Sequence, residues 1–171
     1  MLIFLDTEFT DFIDCDLISI GMVSEDGCHQ LYLERSDYRA DWCNDFVRAA
    51  VLPLLGHASA AVNRAELADR LTAWFAALPR KVVIACDSYT DWELLLDAMN
   101  GVHPPNLAER YDLRTLVDSS TFHHAVVRYH EKKGPWHHAG HDAHAHRAGW
   151  MAWMDARKDR KEPDYAEGRT D

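Results

Sequence analysis

Two carboxylates near the amino terminus have the type and spacing that most directly suggest chemistry. Asp6 and Glu8 follow an apolar run at positions 2–5 and are separated by one residue. On a strand, side chains at positions i and i+2 point to the same face, so both carboxylates would leave the strand on one side. Two like charges on a buried face repel each other unless one carboxylate takes a proton or a cation lies between them. The pair therefore predicts a divalent metal site.

A second set of polar residues stands at the start of the last predicted helix, where residues 137–146 read HHAGHDAHAH. Asp142 shares a helix face with small residues that would let the helix pack closely on a sheet. An unpaired aspartate on that face is unfavourable, so a metal or another cationic partner is expected. His137 is placed on the loop before the helix, within reach of a water at the metal. Three further histidines are predicted to be exposed, namely His141, His144 and His146.

A third acidic position lies where a short apolar strand meets the next helix. Asp87 directly follows the strand at 82–86, and Asp91 opens the helix. In an open α/β sheet, the ends of strands and the beginnings of helices gather at the functional site. Asp91 is the preferred ligand because it opens the helix, whereas Asp87 could equally be a cap or a substrate contact.

The elements that must position these residues alternate between strand and helix patterns. Strands are predicted at 2–6, 17–23, 29–34 and 82–86. Helices are predicted at 41–52, from the capping residue Asn63 to Pro79, at 91–99, at 121–129 and at 139–158. The first three strands form an antiparallel meander, and the later strand followed by a helix indicates a parallel crossover. In the helix at 41–52, Phe46 is expected to face inward.

Length and composition set the class of protein. The chain has 171 residues, which suits one domain over 1–158 and a charged, flexible tail over 159–171. No apolar run approaches the roughly 18 residues of a membrane helix, and the amino terminus does not read as a signal peptide, so a cytoplasmic protein is expected. The formal charge of −10 argues against broad electrostatic capture of nucleic acid. It does not exclude nucleic acid as a substrate of a metal site.

Taken in order, the candidate residues resemble a known family. The sequence Asp6-x-Glu8, then Asp91, then His137 with Asp142 is similar to the three motifs of the DEDDh 3′-5′ exonucleases of the ribonuclease H-like superfamily. Residues 137–143 match the family pattern H-x-A-x-x-D-A, and the opening segment most resembles the small stand-alone bacterial exoribonucleases of mycobacterial type. The family usually has an asparagine four residues before its middle aspartate, where this chain has Asp87. The choice between Asp87 and Asp91 therefore stays open.

The resemblance implies an α/β fold with a ribonuclease H-like mixed sheet, an antiparallel meander plus parallel strands, flanked by helices. It implies a 3′-5′ exoribonuclease that releases nucleoside 5′-monophosphates from single-stranded RNA or a 3′ overhang, with DNA as an alternative substrate. Two Mg²⁺ or Mn²⁺ ions would be bound by four carboxylates, Asp6, Glu8, Asp91 and Asp142. His137 would be the general base. His138 is the competitor, because related tyrosine-type enzymes place their base four residues before the aspartate.

Residues next to the motifs are candidates for substrate contacts. These candidates are Thr7, Phe9, Asp87 and Trp136. Phe9 and Trp136 are expected to stack on the terminal bases of a single strand. Relatives of this kind are often homodimers, so the resemblance also implies a homodimer.

Two other functions are weighed against the exonuclease. A histidine-aspartate phosphohydrolase would use the adjacent pair His141 and Asp142, but such folds are all helical and the first third of this chain is rich in strands. A non-catalytic module that binds metal or nucleic acid would use the histidines. Imidazole ligands favour zinc or nickel and carboxylates favour Mg²⁺ or Mn²⁺, so metal preference separates these functions.

Overall fold

The computed structural model describes residues 1–159 of the chain. The tail predicted for 159–171 lies outside these residues, apart from Asp159, which belongs to the last described helix. Among the helices of this described part, none is long and apolar enough to cross a membrane.

Within residues 1–159, six strands form one mixed sheet. They are β1 Leu2–Phe9, β2 Leu17–Ser24, β3 Gln30–Arg35, β4 Ala61–Val62, β5 Val82–Cys86 and β6 Leu107–Asp112. The strand order is β4-β3-β2-β1-β5-β6. The first three strands pair in antiparallel fashion, whereas β4, β5 and β6 each pair in parallel with a neighbour. The predicted α/β class and the mixed sheet, an antiparallel meander joined to parallel strands, are confirmed, although β4 and β6 were not expected.

Five α-helices in the described part of the chain flank the sheet. They are α1 Arg64–Ala77, α2 Tyr89–Ala98, α3 Arg114–Val117, α4 Ser120–Lys133 and α5 Ala139–Asp159. The predicted capping box of α1 is present, because the Asn63 side chain accepts from the Glu66 backbone and the Glu66 side chain accepts from the Asn63 backbone. Buried residues of β1, β2 and β5 pack with α1 and α2 on one face of the sheet and with α4 and α5 on the other. Both faces of the central strands are therefore covered.

The prediction of one continuous helix at 41–52 is wrong. This segment consists of a 3₁₀ turn at Ala40–Trp42, a π-helical turn at Val47–Val51 and a second 3₁₀ turn at Leu52–Leu54. The side chain of Asn44 accepts a hydrogen bond from the Val47 backbone, so a new helical turn is capped where the predicted helix should continue. The buried side chains are Cys43, Val47 and Val51, and Phe46 is 56% exposed.

A glycine lets the last helix approach the sheet. Gly21 of β2 lies against the first residue of α5, and a Cβ at Gly21 would overlap the carbonyl oxygen of Ala139. Ala143 and Ala145 of α5 are buried in the same layer. Gly21 is also the partner of Asp6 in the β1–β2 pairing. The close contact therefore brings the first turn of α5 beside the carboxylates of β1.

Candidate metal centre

Three carboxylates meet on the face of the sheet that α5 covers. Asp6 and Glu8 alternate with Thr7 along β1, so they share one face and Thr7 points to the other. Asp142 joins them from the first turn of α5. Ligand oxygens of Asp6, Glu8 and Asp142 all lie within 4.8 Å of one another. Sequence spacing alone implied the first pair, and the fold adds the third member.

The carboxyl groups of β1 hold their protons unusually strongly. Burial raises the pKa of Glu8 to about 8, with further contributions from the charges of Asp142 and Asp91. Burial also raises the pKa of Asp6 well above its ordinary value, and Asp91 is the strongest of the neighbouring charges that add to it. These groups are therefore short of positive charge when no cation is present.

Asp142 uses its two oxygens differently. Its Oδ2 accepts a hydrogen bond of 2.8 Å from the backbone N–H of His138. Its Oδ1 lies 3.2 Å from Nε2 of His130, a residue of α4. Burial raises the pKa of Asp142 to about 7, although the backbone N–H groups of His138 and His137 act in the opposite direction.

His130 presents a lone pair to that aspartate. Its side chain is only 1% exposed, and its Nδ1 lies 3.2 and 3.1 Å from the carbonyl oxygens of Gly134 and Pro135. Because carbonyl oxygens only accept hydrogen bonds, Nδ1 must carry the proton, and Nε2 faces Asp142 without a hydrogen-bond partner. Two acceptors facing each other require a proton or a cation between them.

The sequence reasoning missed His130 because it ended α4 at residue 129. The helix continues to Lys133, and Phe122, Val126 and His130 occupy one buried face at intervals of four residues. That spacing was the available signal.

The two aspartates between which the sequence could not decide occupy different positions. Asp91 is 3% exposed and lies in the first turn of α2, where its Oδ1 accepts a hydrogen bond of 2.6 Å from the Thr7 hydroxyl. Burial raises the pKa of Asp91 to about 7, and the hydrogen bond from Thr7 opposes that shift. Asp87 lies two residues beyond Ala85, which pairs with Phe4 of β1, so the register continues toward Asp6.

A second group of possible ligands contains Asp87. Ligand atoms of Asp6, Asp87 and His146 lie within 4.8 Å of one another, and within the described residues Asp91 belongs to neither this group nor the first. The prediction that His146 is exposed is wrong, since its side chain is 12% exposed. His146 lies four residues after Asp142 on α5, and this spacing could have placed both on one helix face.

The donor atoms suit a metal ion. Three carboxylates with raised pKa values, Asp6, Glu8 and Asp142, share one small region, and the unpaired Nε2 of His130 faces Asp142 from α4. The carboxylate clusters could hold a metal ion, which would supply the missing positive charge.

No protein-family model matches this chain, and no curated protein matches it significantly.

The two candidate bases have different surroundings. His137 is exposed on the loop before α5 with a φ of 64°, and its ring packs edge-on against Phe46 with centroids 4.9 Å apart. His138 is half-buried, and its ring stacks on Tyr32 with centroids 4.3 Å apart. Its Nδ1 accepts from the backbone N–H of His141 at 3.3 Å. His138 is therefore held in place by its neighbours, whereas His137 remains open to solvent.

A cavity of about 490 Å³ lies between β3 and the start of α5. Its polar aromatic lining consists of Tyr32, His57, Tyr129, His138, His141 and His144. His141 Nδ1 lies 3.2 Å from the Tyr129 hydroxyl, and His144 Nε2 lies 3.2 Å from Gln30 Oε1. Both histidines are half-buried, so the prediction that they are exposed is also wrong.

The candidate substrate contacts are only partly accessible. Thr7 is 5% exposed, and its hydroxyl is occupied by Asp91. Phe9 is half-buried and packs on the core. Trp136 is 46% exposed, with one face stacked on His130 at a centroid distance of 3.8 Å. Phe46 beside His137 is an exposed aromatic residue that the sequence reasoning placed inside the protein.

Proposed function

We propose that this protein is a metal-dependent 3′-5′ exonuclease of the DEDDh type with a ribonuclease H-like fold, and that RNA is its preferred substrate. The observation that carries the proposal is the convergence of Asp6, Glu8 and Asp142 within 4.8 Å on a buried face of the mixed sheet. The order of these residues in the sequence and the position of His137 before α5 support the same function.

Asp6, Glu8 and Asp142 would hold the divalent ions, with Mg²⁺ or Mn²⁺ as the ions that carboxylates prefer. When bound, such ions lower the pKa of water and neutralise charge on a phosphodiester. Asp91 would add negative charge from the α2 side of β1, where Thr7 fixes its orientation. The backbone N–H of His138 orients Asp142 in the same way.

His137 would move the proton. A ring nitrogen of His137 takes a proton from the attacking water, the water oxygen bonds to phosphorus, and the bond from phosphorus to the 3′ oxygen breaks. The leaving 3′ oxygen takes a proton from solvent water, and His137 returns its own proton to solvent. The products are a nucleoside 5′-monophosphate and a strand one nucleotide shorter with a 3′ hydroxyl. His137 suits this role better than His138, because His138 is stacked on Tyr32 and accepts a hydrogen bond.

Exposed aromatic side chains near the loop before α5, which carries His137, would bind the bases of a single strand. Phe46 lies against His137, and Trp136 exposes nearly half of its surface on the same loop. Stacking on such rings contributes about 1–3 kcal/mol per base and tolerates any sequence. We therefore expect single-stranded 3′ ends to be preferred over blunt duplexes.

The proposal is tested by incubating 5′-labelled single-stranded and 3′-overhang RNA and DNA with the protein in Mg²⁺ or Mn²⁺. The wild type should produce a ladder that shortens from the 3′ end, Asp6→Asn should remove this activity, and His137→Ala should lower it by about 10²–10⁴-fold. His124→Ala is the matched control, since His124 is an exposed histidine on α4. Equal nuclease activity in all four proteins would indicate a contaminant and would refute the proposal.

The histidine-aspartate phosphohydrolase remains the alternative enzyme, and it is less consistent with the fold. Folds of that class are all helical, whereas the residues that the structure describes form a six-stranded sheet. In addition, His141 lines the cavity and lies within hydrogen-bond distance of Tyr129.

A further inference from the structure

Asp6 is shared by two groups of potential metal ligands. Glu8 and Asp142 complete the first group, and Asp87 and His146 complete the second. The first group contains only oxygen donors, whereas the second contains an imidazole. Since β1 contributes Asp6 to both groups, the second lies on the β5 side of the first.

His146 has few interactions of its own that would explain its position. Its side chain is 12% exposed, and its Nε2 lies 3.5 Å from Asp87 Oδ2, beyond the usual length of a hydrogen bond. Its buried Nδ1 has no hydrogen-bond partner. The ring packs loosely on Phe122, with centroids 6.4 Å apart. The nitrogen that faces Asp87 is Nε2, so a nearly buried imidazole lies beside two carboxylates with which it can share a cation.

The last helix and the sheet bring the side chains of Asp6, Asp87 and His146 together. Asp142 and His146 are separated by one helical turn, so α5 presents both to β1. Asp87 follows β5 in register with Asp6, which puts both carboxylates on the same face of neighbouring parallel strands. The second group therefore combines side chains from β1, from the bend directly after β5 and from α5.

We propose that His146 is a direct ligand of a second divalent-metal site, formed with Asp6 and Asp87, that binds transition ions in preference to Mg²⁺. Mg²⁺ takes oxygen ligands and keeps several waters, whereas imidazole suits transition ions. This proposal rests on the proposed function in one respect, which is that Asp6 is a metal ligand. It can be tested without measuring nuclease activity.

The direct test uses Mn²⁺ as the probe and pulsed electron paramagnetic resonance as the readout. Imidazole bound to Mn²⁺ gives a ¹⁴N coupling that oxygen ligands do not give. Wild-type protein should show this coupling, and it should persist in excess Mg²⁺. His146→Ala should lose the coupling and bind the second Mn²⁺ at least about tenfold more weakly in equilibrium dialysis.

Two further histidines serve as controls. His144→Ala, two residues away and near Gln30, should keep the coupling. His130→Ala tests the other buried imidazole, which lies near Asp142, and it should also keep the coupling. Absence of ¹⁴N coupling in wild-type protein would refute the proposal even if His146→Ala failed to fold. Its persistence in His146→Ala would refute the proposal as well.

These outcomes are independent of the nuclease assay. If the protein shows the ¹⁴N coupling but releases no nucleotides, the second metal site is supported and the proposed function is refuted. If the protein degrades RNA from the 3′ end without ¹⁴N coupling, the proposed function is supported and the second metal site is refuted.

Discussion

Replacing Asp142 with asparagine should make the metal-free protein more stable, although it removes a proposed ligand. Burial raises the pKa of Asp142 from 3.8 to about 7, and its side chain is 14% exposed. A carboxyl whose pKa is higher in the folded state destabilises the fold once it ionises, and this penalty is absent below its unfolded pKa. The expected penalty is about 4 kcal/mol at pH 8 and about 2 kcal/mol at pH 5.

Asparagine also fits the two partners of Asp142 better than a carboxylate does. The amide oxygen can keep the hydrogen bond from the His138 backbone, and the amide N–H can donate to the unpaired Nε2 of His130. Asp142→Asn should therefore recover most of the penalty in the absence of metal. The substitution should at the same time weaken metal binding, because an amide oxygen carries no charge.

The assay is urea denaturation in EDTA at pH 8 and pH 5. The gain in the free energy of unfolding should be larger at pH 8 than at pH 5. Asp69→Asn, which changes an exposed carboxylate on α1, should leave stability nearly unchanged at both values. If Asp142→Asn were no more stable than wild type at pH 8, or if its gain were the same at both pH values, the electrostatic account of the site would be refuted.

Three other outcomes are expected. Mn²⁺ should raise the melting temperature more at pH 8 than at pH 5. The pKa of Glu8 is raised to about 8, so at pH 5 a bound proton must leave the carboxyl before a cation binds. Calorimetry at both pH values measures the two shifts in melting temperature. Gly21→Ala should lower the free energy of unfolding by about 1–3 kcal/mol in denaturant titrations, because the added Cβ overlaps the Ala139 carbonyl. Arg35→Met should cost about 3–5 kcal/mol in the same assay, because it leaves the nearly buried Asp16 without its ion-pair partner.

Strong local patterns gave most of the fold. The apolar run before Asp6, the antiparallel meander of the first three strands and the capping box at Asn63 each predict an element that is present. The segment at 41–52 failed because its apolar residues fit two helical faces displaced by one residue. The cap at Asn44, which selects the face with Val47, acts through a side-chain contact that periodicity does not contain. The strand β6 escaped notice because it is poor in apolar residues and forms only by pairing with β5.

The candidate site was predictable where residues follow one element and was missed where elements meet. Asp6 and Glu8 could be paired from strand geometry, and Asp142 could be placed on the inner face of α5. By contrast, the contact of His130 with Asp142 joins two helices. The spacing of α5 places His146 on the face of Asp142, but it does not reveal that Asp87, which follows β5, lies opposite His146.

The same geometry gives separate roles to the two aspartates that the sequence could not rank. Asp91 approaches β1 from the α2 side and is tied to Thr7, which points away from Asp6 and Glu8. Its charge nevertheless contributes the largest effect of any neighbouring carboxylate on the pKa of Asp6. Asp87 lies on the α5 side with Asp6 and can share an ion with it. Asp91→Asn should therefore lower the pKa of Asp6 while the ligand atoms of both groups remain. Asp87→Asn should weaken metal binding only at the group that contains His146.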